Sequence, residues 1–248
     1  MPRAHRYFLP GHAWHITHRC HGQEFLLKFA KDRRRWWYWL FEAKKRYGLC
    51  VLNYIITSNH IHLLVLDKTE GALAKSMQLV AGRTAQEYNQ RKLRQGAFWE
   101  DRYHATAVET DAHLARCLVY IDLNMVRAGV VRHPAHWCDS GYRDIQNPPS
   151  RYAIIDLPAL VQVLGFTSLK QLQAAHRSWI EAALEASHQQ RQGMWTDSLA
   201  IGSPDYVARV QAALGVTAKY RSNAKLESDN VLKEAQGSYA ILGAKRAV

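Results

Sequence analysis

Residues 49–66 read LCVLNYIITSNHIHLLVL, and this stretch decides the fold. Leu49–Thr57 and His60–Leu66 are two apolar runs with only Ser58-Asn59 between them, the pattern of a β-hairpin. Upstream, HAWHITHR at 12–19 follows the turn-forming Pro10-Gly11 and alternates well enough to be an earlier strand. Between it and the hairpin lies a helical stretch, Lys31–Tyr47, with Gly48 as its natural C-cap. Downstream, residues 72–95 are rich in helix formers and end at Gly96, and YHATAVE at 103–109 alternates as a fourth strand. DAHLARCLVYIDLNMVRAG then reads as a strong helix, with Asp111 near its N-cap and Gly129 at its stop. The order β-α-β-β-α-β predicts an α+β fold: a ferredoxin-like antiparallel sheet with helices on one face, followed by one more helix packed near it. Such a fold alone says little about function.

After the Pro/Ser linker Asn147-Pro148-Pro149-Ser150 the chain reads as mainly helical, over 156–164, 168–187 and 204–214. The last of these has Ser203 as N-cap, Pro204 at the first helical position and Gly215 as terminator. Residues 216–248 are thin in large apolar side chains, which predicts a loosely ordered tail. The expected division is therefore 1–146 for the sheet-bearing part and 147–248 for a helical C-terminal extension.

Composition narrows the class. The 248 residues are 48% hydrophobic and 22% charged, a globular balance that argues against wholesale disorder. No run of 18 apolar residues exists, so no membrane span is expected. The charged, aromatic N-terminus does not resemble a secretory signal, which makes the cytoplasm the expected location. Cys20, Cys50, Cys117 and Cys138 form no C-x-x-C pair and read as reduced thiols. The formal net charge is +12, of which residues 1–150 carry +9 (22 basic, 13 acidic). A polyanionic partner facing the N-terminal part is the inference.

The chemistry-bearing residues sit on two of the predicted elements. In a strand, His60 and His62 point to one face, about 7 Å apart at the backbone, where both imidazoles can converge on one cation. On the predicted helix, Tyr120 and Asn124 are four apart and share a face. Each piece alone is weak: histidine pairs and helical tyrosines are common in cores. Together with the element order and the basic N-terminal part they are specific. His12, His15 and His18 recur every third residue, which a strand scatters over both faces, so they are not read as a second metal site. His104, beside Tyr103, is within sequence range of the centre but nothing in the string demands a role. Trp36, Trp37 and Trp39 are at helical spacing beside Leu40 and Phe41 and read as core.

The chain resembles the single-tyrosine HUH transposases, and more closely the REP-associated tyrosine transposases. The resemblance rests on Pro2-Arg3 and Pro10-Gly11, WHITHR at 14–19, SNHIHLLV at 58–65, FWEDRYHAT at 98–106 and YIDLNMVRAG at 120–129. It covers about residues 1–135, with Met125 as a departure where relatives usually have proline. It implies the HUH nuclease fold, His60 and His62 as ligands of a divalent metal, Asn124 as a further oxygen ligand and Tyr120 as the nucleophile. A tyrosine of ordinary pKa about 10 is only ~0.1% ionised at neutral pH and requires help. Mg²⁺ or Mn²⁺ is the implied cofactor, with Mn²⁺ better suited to two imidazoles.

The implied substrate is single-stranded DNA bearing a hairpin, a REP-like palindrome flanked by a short guide tetranucleotide. Arg3, Arg6, Arg19, Arg33, Arg34, Arg35, Arg102 and Arg127 are the candidate contacts to phosphate or base edges. Two rivals stay open on sequence: a palindrome-binding protein or regulator without turnover, and a metal-dependent hydrolase using water. The latter is disfavoured because no carboxylate motif accompanies the histidine pair. Monomer and homodimer are both compatible with the string.

Overall fold

The computed structural model describes residues 9–110, 112–186, 193–215, 223–226 and 229–233. Arg3, Arg6, Asp111 and most of the expected loose tail lie outside them. The predicted hairpin is present as β2 (Cys50–Ile56) and β3 (His60–Leu66), and the earlier strand as β1 (Ala13–Arg19). Helix α1 (Ala30–Tyr47) stops where Gly48 turns left-handed, at φ 68°, and returns its N–H to the Lys44 carbonyl. Helix α2 (Ala72–Lys92) ends four residues before Gly96, and β4 (His104–Val108) follows. All pairings among these strands are antiparallel, in the order β2-β3-β1-β4, which is the ferredoxin-like arrangement expected.

Adjacent residues of β2 show what covers each face of this sheet. Tyr54 accepts from the indole N–H of Trp37 on α1 at 3.1 Å, and α1 is tied to α2 by two Arg35–Glu87 hydrogen bonds of 2.7 Å. Asn53 points the other way, donating to Asp122 at 3.0 Å on α3 (Ala112–Asp122). A bulge between Val51 and Asn53 sets this alternation: Val51 pairs with Val65 and Asn53 with Leu64, leaving Leu52 as the extra residue. Helices α1 and α2 thus occupy one face and the further helix α3 the opposite one. Trp36 is fully buried, Trp39 is buried, and Trp37 is half-buried against the core. Where the sequence reads as one helix past Asp122, the chain breaks at Leu123 and resumes as the single turn α4 (Asn124–Arg127).

Helix α5 (Gly141–Gln146) ends the N-terminal part, and the C-terminal part is helical as expected, with α6 (Leu157–Val163), α7 (Leu169–Glu185), α8 (Met194–Asp197) and α9 (Pro204–Leu214). Ser203 caps α9 through the Tyr206 N–H at 3.2 Å. The helical expectation missed three strands. β5 (Ser198–Gly202) runs parallel to β4, and β6 (Asn223–Leu226) and β7 (Asp229–Lys233) extend the sheet to seven strands. The last two fall inside the stretch expected to be a loose tail. β5 is seated by side chains of β4: Thr106 Oγ1 and His104 Nε2 both donate to the Ser198 carbonyl, at 2.6 and 2.8 Å. Among the described residues no helix is long and apolar enough to cross a membrane. Cys20, Cys50, Cys117 and Cys138 are free thiols, and burial raises the first two to about 12 and about 11.

Helix α7 docks on α3 through a buried polar contact. His176 Nε2 donates to Asp122 Oδ2 at 2.7 Å, both side chains are wholly buried, and Gln146 Nε2 donates to the other ring nitrogen at 3.0 Å. Removing one member leaves the other without its partner in low dielectric. His176→Leu is expected to lower stability by about 3 kcal/mol in urea denaturation, and the double variant His176→Leu/Asp122→Leu to recover much of that loss.

Candidate active site

The β1–β3 register puts Arg19 opposite His60 and Thr17 opposite His62, so these four side chains share one face of the sheet. That face is covered by α3, which brings Tyr120, and by α4, which brings Asn124 and Arg127. Together they line a pocket of about 300 Å³. Asn59 of the hairpin turn, Gln23 and Thr196 of α8 complete its wall. Two guanidiniums and no carboxylate line it among the described residues, so its field favours an anion.

The two imidazoles are held by different partners with one result. His60 Nδ1 donates to Asn59 Oδ1 at 2.8 Å, and Asn59 is oriented for this by its own Nδ2, which donates to the Gln23 carbonyl at 3.2 Å. Nε2 is therefore the basic nitrogen of His60. His62 is bonded at Nδ1 to His15 Nε2, 2.8 Å away, and its Nε2 lies 3.0 Å from Asn124 Nδ2, an N–H donor. Its basic nitrogen is again Nε2, and the His60 and His62 rings meet edge to face at 5.0 Å.

Tyr120 is buried at 6% exposure, its ring 5.8 Å from that of His62. Arg127 stacks its guanidinium 4.1 Å above the Tyr120 ring and donates to the Tyr120 carbonyl at 2.5 Å. Burial lowers the Arg127 pKa from its ordinary value, yet a guanidinium remains charged at any working pH. Trp195 of α8 packs against Tyr120 at 5.8 Å, so the C-terminal extension forms part of that tyrosine's surroundings.

Of the arginines singled out in the sequence, Arg19 and Arg127 reach the pocket. Arg33 is occupied elsewhere, paired with Asp139 at 2.5 Å and lying over Trp137, and Arg35 is bound bidentately by Glu87 on the far face of the sheet. Both bonds tie elements together, which is a structural use of the charge. Arg34 and Arg102 are exposed and outside the pocket lining. His104 is engaged with the Ser198 carbonyl away from the pocket. Among the described residues no cluster of three or more His, Cys, Asp or Glu that could hold a metal ion occurs.

Sequence reasoning missed His15, Thr17, Gln23, Asn59, Trp195 and Thr196. The strand period alone could have grouped His15 with Thr17 and Arg19, since His18 faces the opposite side and stacks on Trp99 at 4.1 Å.

Burial pushes His15 down to about 3, against a smaller opposing effect of its bond to Trp195. His62 is driven well below its usual value by burial, then by His15, His60 and the arginines. Both rings stay neutral in the fold, whereas an unfolded chain takes up a proton on each near pH 6.5. Their contribution is therefore complete above that pH and is lost progressively as pH falls below it. In chelator, unfolding free energy is expected to drop by about 3 kcal/mol between pH 7.5 and 5.5, read from urea midpoints.

The family model described as "Transposase IS200 like" matches residues 10–124. A solved REP-associated tyrosine transposase bound to a REP hairpin is similar at 16% identity and a TM-score of 0.47, covering 63% of this chain and 94% of that one. A Deinococcus radiodurans R1 protein, provisionally described as a transposase, gives 14% identity and a TM-score of 0.32, covering 42% and 82%. No curated protein matches. The matched segment carries β1 to α3, together with His60, His62, Tyr120 and Asn124. Residues 10–124 of this chain are thus similar to the IS200-like transposases.

Proposed function

We propose that the protein nicks and rejoins single-stranded DNA at hairpin sites through a covalent 5′-phosphotyrosine on Tyr120. The observation that carries this reading is the composition of one pocket: a tyrosine, two imidazoles with basic Nε2 atoms, two guanidiniums and no carboxylate. In the proposed step the Tyr120 oxygen attacks the phosphorus, a P–Oη bond forms and the P–O3′ bond breaks. The phenolic proton is given up and the departing O3′ takes up one proton, so a free 3′-OH results. The phosphodiester energy stays in the protein–DNA bond, and attack by a 3′-OH reverses the step without ATP.

Arg19 and Arg127 hold the non-bridging oxygens, with the Arg127 guanidinium lying over the Tyr120 ring. Trp195 and α3 keep the tyrosine ring from swinging out. His60 and His62 through Nε2 would hold a divalent ion, joined by the Asn124 amide oxygen once that amide turns over and withdraws the Nδ2 that now donates to His62 Nε2, and the nitrogen-rich set suits Mn²⁺ better than Mg²⁺. Such an ion, when bound, supplies Lewis-acid polarisation of the scissile phosphate. A water-using hydrolase fits less well, because no carboxylate lines the pocket to take a proton from water.

The substrate in this reading is a REP-like palindrome, with the strand beside the hairpin single and able to enter the pocket. Incubation with an end-labelled hairpin oligonucleotide and Mn²⁺ is expected to give a protein–DNA adduct on a denaturing gel. Tyr120→Phe and chelator should each abolish the adduct, with hairpin binding by Tyr120→Phe within about twofold of the parent. Hairpin binding with no adduct and no cleavage across several repeats would instead favour a palindrome-binding regulator.

A further inference from the structure

A third histidine stands behind the pair. His15 is wholly buried and its Nδ1 lies 2.9 Å from the Trp195 carbonyl, while its Nε2 lies 2.8 Å from His62 Nδ1. A carbonyl only accepts, so His15 carries its proton on Nδ1. With His15 neutral, its Nε2 is an acceptor, and the proton between the two rings belongs to His62 Nδ1. The rings lie almost parallel, at 8° and 5.0 Å between centroids, which suits an in-plane bond.

We propose that His15 is a positioning residue: fixed by the Trp195 carbonyl, it holds His62 in the Nδ1–H tautomer and thereby presents the His62 Nε2 lone pair to the pocket. The residue that holds His15 belongs to α8, so the C-terminal extension sets the ligand geometry of a site whose ligands all lie in the N-terminal part. Ligand histidines are generally oriented by a hydrogen bond from their other nitrogen, and losing such a partner typically costs 10- to 100-fold in metal affinity. Here the partner is a second imidazole backed by a main-chain carbonyl. The proposal rests on the metal-binding reading of the pocket.

The test uses the full chain, ¹⁵N-labelled and metal-free. Long-range ¹H–¹⁵N spectra of the histidine rings are expected to show His62 protonated on Nδ1 in the parent. The same tautomer should persist in His15→Gln, whose amide oxygen can accept that proton's hydrogen bond, and give way to a mixture in His15→Leu. Titration with Mn²⁺, followed by electron paramagnetic resonance, should show at least about tenfold weaker binding in His15→Leu and near-parental binding in His15→Gln.

The parent protein protonated on His62 Nε2 would overturn the proposal whatever the variants do. Unchanged Mn²⁺ affinity in a folded His15→Leu would overturn it alone and leave the functional reading intact. A parent that binds no Mn²⁺, with His62 still protonated on Nδ1, would sink the metal reading of the pocket and the role of the relay with it.

Discussion

The register between β1 and β3 is the constraint on which the rest depends. Thr17 opposite His62 and Arg19 opposite His60 put a hydroxyl, a guanidinium and two imidazoles on one face of the sheet. Strand periodicity is two, so a slip of one residue would send His62 into the apolar face covered by α1 and α2. That slip is opposed by both faces at once: Ile16, Ile61 and Leu63 are fully buried, as is Leu64 on the face of the histidines. The packing of ordinary aliphatic residues is thus what aims the polar ones.

A polar face so placed must be covered without stranding its hydrogen-bonding groups. Helix α3 meets it with Asn53–Asp122–His176, a buried chain in which α7 supplies the last member. Nearer the pocket, α8 and β5 supply backbone carbonyls in place of side chains: Trp195 receives His15, and Ser198 receives Thr106 and His104. The C-terminal extension therefore completes the hydrogen bonding of the sheet that carries the pocket, and its strands continue that sheet past β4.

What the sequence made legible follows from local physics. The hairpin at 50–66 could be read because two apolar runs leave only a short turn between them, and α1 and α9 could be bounded because Gly48, Ser203 and Gly215 act on their own neighbours. His60 with His62, and Tyr120 with Asn124, are periodicity arguments within single elements. The misses are contacts between residues far apart in the chain. β5 is five residues long and pairs with β4 across 93 positions, and its run SLAIG has no pattern of its own. Arg33 and Arg35 looked like phosphate contacts because the carboxylates that claim them, Asp139 and Glu87, lie 106 and 52 positions away. His15 belongs to the same kind: its meaning arises only when β3 is laid beside β1 and α8 over both.

In the proposed reading, the use of an imidazole and a carbonyl behind His62, where a carboxylate is the commoner partner of a ligand histidine, suits the anion that the pocket would take up. A buried aspartate at position 15 would bring a negative charge close to a pocket whose two guanidiniums favour an anion, and would compete with such an anion for Arg19 and Arg127. It would also need its own desolvation offset by a paired cation. A neutral ring bonded to a main-chain carbonyl fixes the same tautomer with no net charge, and leaves the guanidinium over Tyr120 unneutralised. The arrangement has a cost of its own: both rings must remain neutral, which requires that they stay dry. Dryness is what Trp195 provides, buried to 1% exposure and lying against both His15 and Tyr120. One side chain of the C-terminal extension thus shields both His15 and Tyr120.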